Sequence, residues 1–181
     1  MTEAFFIGKR AVMSGGRTAL FIHENPQEIL KDKSMVIFFS AMLNEIYRLG
    51  REYPFPRPKV CPGCQGCRLW GHGFVLAAFD GYCHPLCLKR YRCPDCRCVV
   101  CLRPDGYFSR FQASIEAIRS SVVSKVRFGK WIAGISRSRQ RHWFNALVKR
   151  IKAYLTDVWQ DVLAGFDYFV QSGQIPVSRS I

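Results

Sequence analysis

Cys61-Pro62-Gly63-Cys64 and Cys93-Pro94-Asp95-Cys96 enclose 28 residues, and their reading governs that of the whole chain. Each Cys-x-x-Cys is a tight turn presenting two thiolates. Together they supply four soft ligands, the number and type that suit a structural Zn²⁺. Two such pairs describe a metal-folded module and point away from a catalytic pocket. Rubredoxin-type iron uses similar knuckles and stays open as an alternative. Thiol redox chemistry usually needs one such pair at a helix N-terminus in a βαβ context, which this pattern does not offer.

Working outward, Leu69-Trp70-Gly71-His72-Gly73-Phe74-Val75-Leu76-Ala77-Ala78-Phe79 and Leu86-Cys87-Leu88-Lys89-Arg90-Tyr91-Arg92 read as two strands. The turn-rich Asp80-Gly81-Tyr82-Cys83-His84-Pro85 joins them. This is a β-hairpin with a knuckle at each foot, and residues 99–102 can add a third strand: a zinc ribbon. A hairpin of this size cannot bury enough apolar surface to fold alone. A Cys₄ zinc site supplies on the order of 10–16 kcal/mol. Cys61, Cys64, Cys93 and Cys96 are the expected ligands of one structural Zn²⁺. Cys67, Cys83, Cys87, Cys98 and Cys101 remain, either as small apolar fillers and exposed thiols or, for Cys83, Cys87, Cys98 and Cys101, as part of a second metal site. In a strand, residues three apart face opposite ways, which argues against Cys98 and Cys101 chelating together. His72 reads as a structural hydrogen-bonding residue more than as a ligand.

The chain has 181 residues and a net charge of +14, with 27 Lys and Arg against 13 Asp and Glu. That excess favours a polyanionic partner. It is concentrated: residues 109–155 hold 11 basic residues and one acidic residue, Glu116, a net of +10. All nine cysteines lie between residues 61 and 101. No signal-peptide pattern opens the chain, and no apolar run reaches the length of a membrane span. A reducing cytoplasm with metal-bound thiolates is therefore expected, with no membrane partner.

In the basic segment, Phe111, Ile115, Ile118, Val122 and Val126 mark one face of a helix from about residue 110 to 127. Gly129 and Gly134 interrupt it. Gly134-Ile135-Ser136 then leads into a second helix with Ser136 as N-cap and an inward stripe of Phe144, Leu147, Val148, Ile151, Leu155 and Val158. A glycine turn, an apolar residue, a serine cap and a helix opening on Arg and Ser follow helix-turn-helix logic, which places the second helix in the major groove. Arg137, Ser138, Arg141, His142 and Asn145 are expected to face bases. Lys125, Arg127, Lys130, Lys149 and Lys152 are expected to face phosphate. Lys130 and Gln140 depart from the small and aliphatic residues usual at their positions, which bears on how tightly the helices cross. A solvated basic face is the plainer alternative, but a surface serving only solubility would mix charge signs.

The flanks carry less information. Residues 1–33 are poorly patterned, with short strands at most around Phe5, Phe6, Leu20, Phe21 and Ile22. Residues 34–50 read as an amphipathic helix, from Met35, Phe38, Phe39, Met42, Leu43, Ile46 and Leu49, and the abrupt start raises Met35 as a native start. Residues 51–60 read as a proline-stiffened linker, 61–108 as the ribbon and 109–172 as the helical domain. Residues 155–170 form a further apolar helical pattern fit for packing or dimerisation, and 173–181 read as a frayed tail. No carboxylate triad, phosphate-cradling glycine loop or nucleophile with a matching base occurs, so neither an enzyme nor a small-molecule substrate is expected.

Cys61-Pro62-Gly63-Cys64, Leu69-Trp70-Gly71-His72-Gly73-Phe74 and Arg90-Tyr91-Arg92-Cys93-Pro94-Asp95-Cys96 resemble the zinc ribbon at the front of many insertion-sequence transposases. They also resemble short bacterial proteins of unknown function in which the ribbon is followed by a Ser-Arg-Ser-type helix-turn-helix. The resemblance covers residues 58–150. The family's second knuckle continues Cys-Gly-Arg-Thr where this chain has Cys96-Arg97-Cys98-Val99, which puts the turn after that knuckle in question. The resemblance implies DNA binding linked to mobile elements, in bacteria, with a homodimer or a transposase as further partner. The acidic catalytic domain of such transposases has no counterpart here. The expected fold is α+β: a small zinc ribbon, an all-helical helix-turn-helix-like domain and an N-terminal helix. The alternative function is a zinc-ribbon protein-interaction module.

Overall fold

The computed structural model describes residues 34–155 and 161–178, and its first element is a strand, β1 (Ser34–Phe39), where the apolar spacing pointed to a helix over 34–50. Met35-Val36-Ile37-Phe38-Phe39 is an unbroken apolar run, so it fits the helical and the strand period alike. Its β-branched and aromatic residues favour the strand once a partner strand exists, and that partner lies far downstream. The helical part of the pattern is real but shorter: α1 (Leu43–Leu49) buries Ile46 and runs into a 3₁₀ turn (Gly50–Glu52). Residues 1–33, where the short strands were expected, lie outside the described residues, as do 156–160 with Val158.

The expected hairpin and third strand follow. β2 (Trp70–Ala77), β3 (Leu86–Arg92) and β4 (Val99–Pro104) form an antiparallel meander, and β1 adds to its edge parallel to β4, giving the order β1-β4-β3-β2. The parallel register runs from Ser34 opposite Val99 to Phe39 opposite Pro104. A bulge interrupts β2 between Gly71 and Phe74, with Gly73 in the left-handed region at φ 69°.

The proline-rich stretch does not behave as a spacer. Tyr53 and Phe55 stack edge-on at 4.8 Å, Phe55 meets Phe39 at 5.9 Å and Phe74 at 6.1 Å, and Arg57 donates a 2.6 Å hydrogen bond to the Leu69 carbonyl. Prolines hold this strap extended, so its aromatic rings cover the sheet and close the first core with Ile46, Leu88, Val100 and Leu102.

The helices build a second core. The first, α2 (Ile115–Phe128), starts later than the spacing suggested because Ser114 caps it, accepting from the Ala117 N–H at 3.1 Å; Gly129 ends it at φ 67°. Then come α3 (Arg137–Tyr154) and α4 (Val162–Gln171), the second starting later than the further apolar pattern over 155–170 suggested. Asp161 caps α4 through the Leu163 N–H at 2.8 Å. Ile118, Val122, Trp143, Leu147, Ile151, Phe166 and Phe169 form the centre. Trp143 is buried although it lies outside the expected stripe, and Val126 is exposed although it lies within its own. Nor is the tail all frayed: Val177 is 1% exposed and belongs to this core. Gly165 lets α3 and α4 approach closely, since a Cβ there would meet Ile151 Cγ1 at 2.8 Å.

The turn between α2 and α3 is long, as the Gly129 and Gly134 interruptions and the Ser136 cap position foreshadow. Eight residues, 129–136, separate them, against the three or four of a tight helix-turn-helix. Gln140 holds this longer turn. It is 1% exposed. Its Oε1 accepts from the Ser121 hydroxyl at 2.7 Å and the Ile132 N–H at 3.1 Å, and its Nε2 donates to the carbonyls of Ile132 at 2.9 Å and Ile135 at 2.7 Å. All four hydrogen-bonding positions of the amide are filled. A polar residue that looked out of place in the helix is the tie that fixes α2, the turn and α3 together.

Ribbon and helices meet around Asp80. Its N–H donates to the Gln112 carbonyl at 3.0 Å and its carboxylate pairs with Arg139 at 2.9 Å. Arg103 reaches the Phe111 carbonyl and lies 4.9 Å from the Phe79 ring centre.

Candidate functional site

The two knuckles have the same backbone. Cys61 N–H donates to the Gly66 carbonyl at 2.8 Å and Cys93 N–H to the Cys98 carbonyl at 3.0 Å, the same loop in each. After the second cysteine of each pair, Gln65 (φ 61°) and Arg97 (φ 60°) turn the chain through the left-handed region. Holding a residue with a Cβ in this region costs roughly 1–2 kcal/mol.

This geometry brings together the four expected ligands. The sulfurs of Cys61, Cys64, Cys93 and Cys96 all lie within 4.8 Å of one another. Across the knuckles, Cys61 and Cys96 are 3.5 Å apart and Cys64 and Cys93 3.6 Å. Metal–sulfur bonds of about 2.3 Å in a tetrahedron give sulfur–sulfur edges of about 3.8 Å, so the group is sized to hold a metal ion. Each knuckle gives one buried ligand, Cys61 or Cys93, and one at the surface, Cys64 or Cys96. Arg68 pairs with Asp95 across the knuckles and latches them together. Gly66 leaves room at the joint: a Cβ there would sit 2.8 Å from Asp95 Oδ2 and 3.3 Å from Cys64 Sγ, so the Asp95 carboxylate would have to shift.

The electrostatics suit a cation. Burial opposes ionisation of Cys61, but the backbone N–H groups of Cys64 and Gly63, with the Cys96 and Cys93 thiols, outweigh it and bring the thiol down to about 7. The Gly66 N–H favours the Cys64 thiolate, yet the crowded sulfurs of Cys96 and Cys93 push that thiol up to about 12. Sulfurs crowded this closely favour a positive ion at their centre. Four sulfur ligands also fill a tetrahedral ion, leaving no open position for a substrate.

Among the described residues no other set of His, Cys, Asp or Glu clusters closely enough to hold an ion. Cys98 is buried against Gly63 of the first knuckle, with a thiol raised to about 11 by burial and by the neighbouring Cys61 and Cys96. Cys101 is half-buried on β4, and Cys67 and Cys83 are exposed. His72 sits in the β2 bulge, apart from the sulfur cluster and without the structural hydrogen bond expected of it among the described residues.

The expected nucleic-acid residues fall largely on one face. On α3, Arg137, Ser138, Arg141, His142, Asn145, Lys149 and Lys152 occupy an arc of about 140° at 100° per residue, opposite buried Gln140, Trp143, Leu147 and Ile151. His142, Asn145 and Lys149 border an open groove of ≈ 480 Å³ reaching Ser178. Arg127 and Lys130 are exposed near the turn. Lys125 is engaged locally, donating to the Gly129 carbonyl at 3.0 Å and lying 5.0 Å from the Trp131 ring centre. Ser136 stands at the N-cap position without a side-chain bond to a helix N–H; its hydroxyl lies 3.5 Å from that of Ser138.

Sequence reasoning missed Gly66, the Arg68–Asp95 latch and the fit of Gln140. Only the first had a local signal, a glycine two residues after a knuckle. No helix among the described residues is long and apolar enough to cross a membrane. Comparison with protein-family models, curated proteins and solved structures finds no match.

Proposed function

We propose that this chain is a DNA-binding protein folded by one structural Zn²⁺ and related to transposases. It works in the bacterial cytoplasm, alone or with a transposase. The observation that carries the reading is the outer face of α3: it gathers Arg, Lys, Ser and Asn opposite a buried stripe, and α3 contains no acidic residue. Zinc's part is to hold Cys61, Cys64, Cys93 and Cys96 and so keep the ribbon folded. Arg141 and Asn145 have the side chains that read guanine and adenine edges in a major groove. The eight-residue turn supports a helix held by Gln140 as the reading element, in place of a tight helix-turn-helix.

Metal content and salt-dependent DNA binding, measured on one purified sample, test this. Expected are one zinc per chain and an affinity for duplex DNA that falls steeply with salt. Arg141→Ala should cost roughly 1–3 kcal/mol on a specific site and relax its selectivity. Wild-type and Arg141→Ala protein binding all sequences equally would overturn the base-reading role. Bound iron with a visible absorption band would overturn zinc.

A protein-interaction module is the second reading, favoured by exposed Met42, Tyr154 and Tyr168. Partner binding insensitive to salt would select it.

A further inference from the structure

The ribbon carries a cleft that neither the metal centre nor α3 accounts for. It measures ≈ 380 Å³ and is lined by Trp70, His72, Arg92, Pro94 and Arg97, with Gly71 and Cys93. Trp70 is 60% exposed, beside the buried Leu69 that anchors the strand. Trp70 stands directly opposite Arg92 across the β2–β3 ladder. No hydrogen bond, ion pair or ring contact among the described residues engages the side chains of Trp70, Arg92 or Arg97, while nearby Arg68 is paired with Asp95. The cleft thus offers one bare aromatic face and two unpaired guanidinium groups, and no carboxylate lines it.

Arg97 adds an independent observation. It holds a left-handed backbone position, φ 60°, that glycine would occupy without strain. An arginine kept there gives the cleft a cation at a conformational cost of about 1–2 kcal/mol.

A lone phosphate has no use for Trp70, and a protein partner needs a broader apolar patch than one ring. A nucleobase with its flanking phosphates uses all three groups, because a base stacks on an aromatic face while cations track the backbone. The geometry points to this cleft as a seat for one unpaired base of single-stranded DNA, stacked on Trp70 with its neighbouring phosphates on Arg92 and Arg97. This rests on the DNA-binding reading for the choice of polymer and adds a second binding point, remote in sequence from α3. Duplex held by α3 and an unpaired segment held by the ribbon would mark the substrate as a junction or an opened end.

The test uses the zinc-loaded full chain and fluorescence anisotropy with three probes: a short oligo-dT, an abasic strand of equal length, and a duplex. Wild-type protein should bind oligo-dT more tightly than the abasic strand. Trp70→Ala should weaken oligo-dT binding by roughly 5- to 150-fold while zinc content and abasic-strand binding stay unchanged. Trp70→Phe should restore most of the loss. Replacing Arg92 by Ala and Arg97 by Gly should flatten the oligo-dT salt slope by about 0.7 for each phosphate no longer neutralised. Equal oligo-dT affinity for wild type and Trp70→Ala at full zinc content, or no oligo-dT binding at all, would overturn the cleft. The duplex arm separates the two readings. Trp70-dependent oligo-dT binding without duplex binding sustains the cleft and sinks the α3 reading. Arg141-dependent duplex binding with Trp70-independent oligo-dT binding does the reverse.

Discussion

Gln65 and Arg97 share one backbone conformation at the two knuckles, and glycine would adopt it more cheaply. Arg97→Gly in the zinc-loaded protein should therefore raise stability by about 1 kcal/mol, read as a higher midpoint in urea. An unchanged or lower midpoint would mean that the Arg97 side chain stabilises the fold itself. The nine thiols divide equally sharply. With metal bound at neutral pH, Cys67 and Cys83 should alkylate first, because both are exposed and outside the ligand group. Cys98 should resist, since burial and the neighbouring sulfurs raise its thiol to about 11 and the thiolate is the reactive form. Raising the pH toward that value should increase the Cys98 thiolate fraction. Peptide mass mapping reads both outcomes, and rapid Cys98 labelling at neutral pH would contradict its burial. Cys61→Ser or Cys93→Ser should release the metal, because each removes a buried ligand from a group of four.

At the scale of elements, the α2–α3 connection depends on one amide. Gln140→Leu keeps the volume but strands the Ser121 hydroxyl and the Ile132 N–H in the interior. A loss of about 2–4 kcal/mol is expected, measured by denaturant unfolding. Gln140→Glu should rescue little, because a carboxylate cannot donate to the Ile132 and Ile135 carbonyls. The α3–α4 crossing depends on the absence of a side chain. Gly165→Ala gains helix propensity but drives a methyl group into Ile151, so a net loss of roughly 1 kcal/mol is expected. Ile151→Val in the same chain should recover part of it; additive losses would place the strain elsewhere. These two residues also mark the limit of what the sequence reveals. The hairpin strands and the clustering of Cys61, Cys64, Cys93 and Cys96 were legible because knuckle spacing and strand alternation are local signals. β1 was not, since an all-apolar run takes its identity from a partner far downstream, across the parallel register of Ser34 with Val99. Gln140 read as a defect because its four partners come from α2 and the turn, outside its own helix. The outer face of α3 was legible through its helical period, whereas the Trp70–Arg92 pairing needed the register of the hairpin.

For the whole molecule, two cores with different dependencies sit on one chain. The ribbon core contains Cys61 and Cys93, whereas the helical core contains no cysteine. Chelation should therefore melt the β signal first and leave α2, α3 and α4 partly ordered, followed by circular dichroism during titration with a strong chelator. Simultaneous loss of all structure would mean that the Asp80 contacts to Arg139 and Gln112 make the two cores one cooperative unit. Metal uptake should also release protons, because thiols that sit as high as Cys64 at about 12 must ionise on binding; calorimetry in buffers of different ionisation heat measures the number. The strand β1 has a further consequence. A three-stranded ribbon would end at β4 with its backbone ladder open to solvent, and β1 covers that edge with residues from before the first knuckle. A ribbon excised at the proline strap would carry both knuckles yet expose an unpaired β4, a template for strand addition. Such a fragment should self-associate in solution, so the smallest well-behaved ribbon begins at Ser34, well before Cys61.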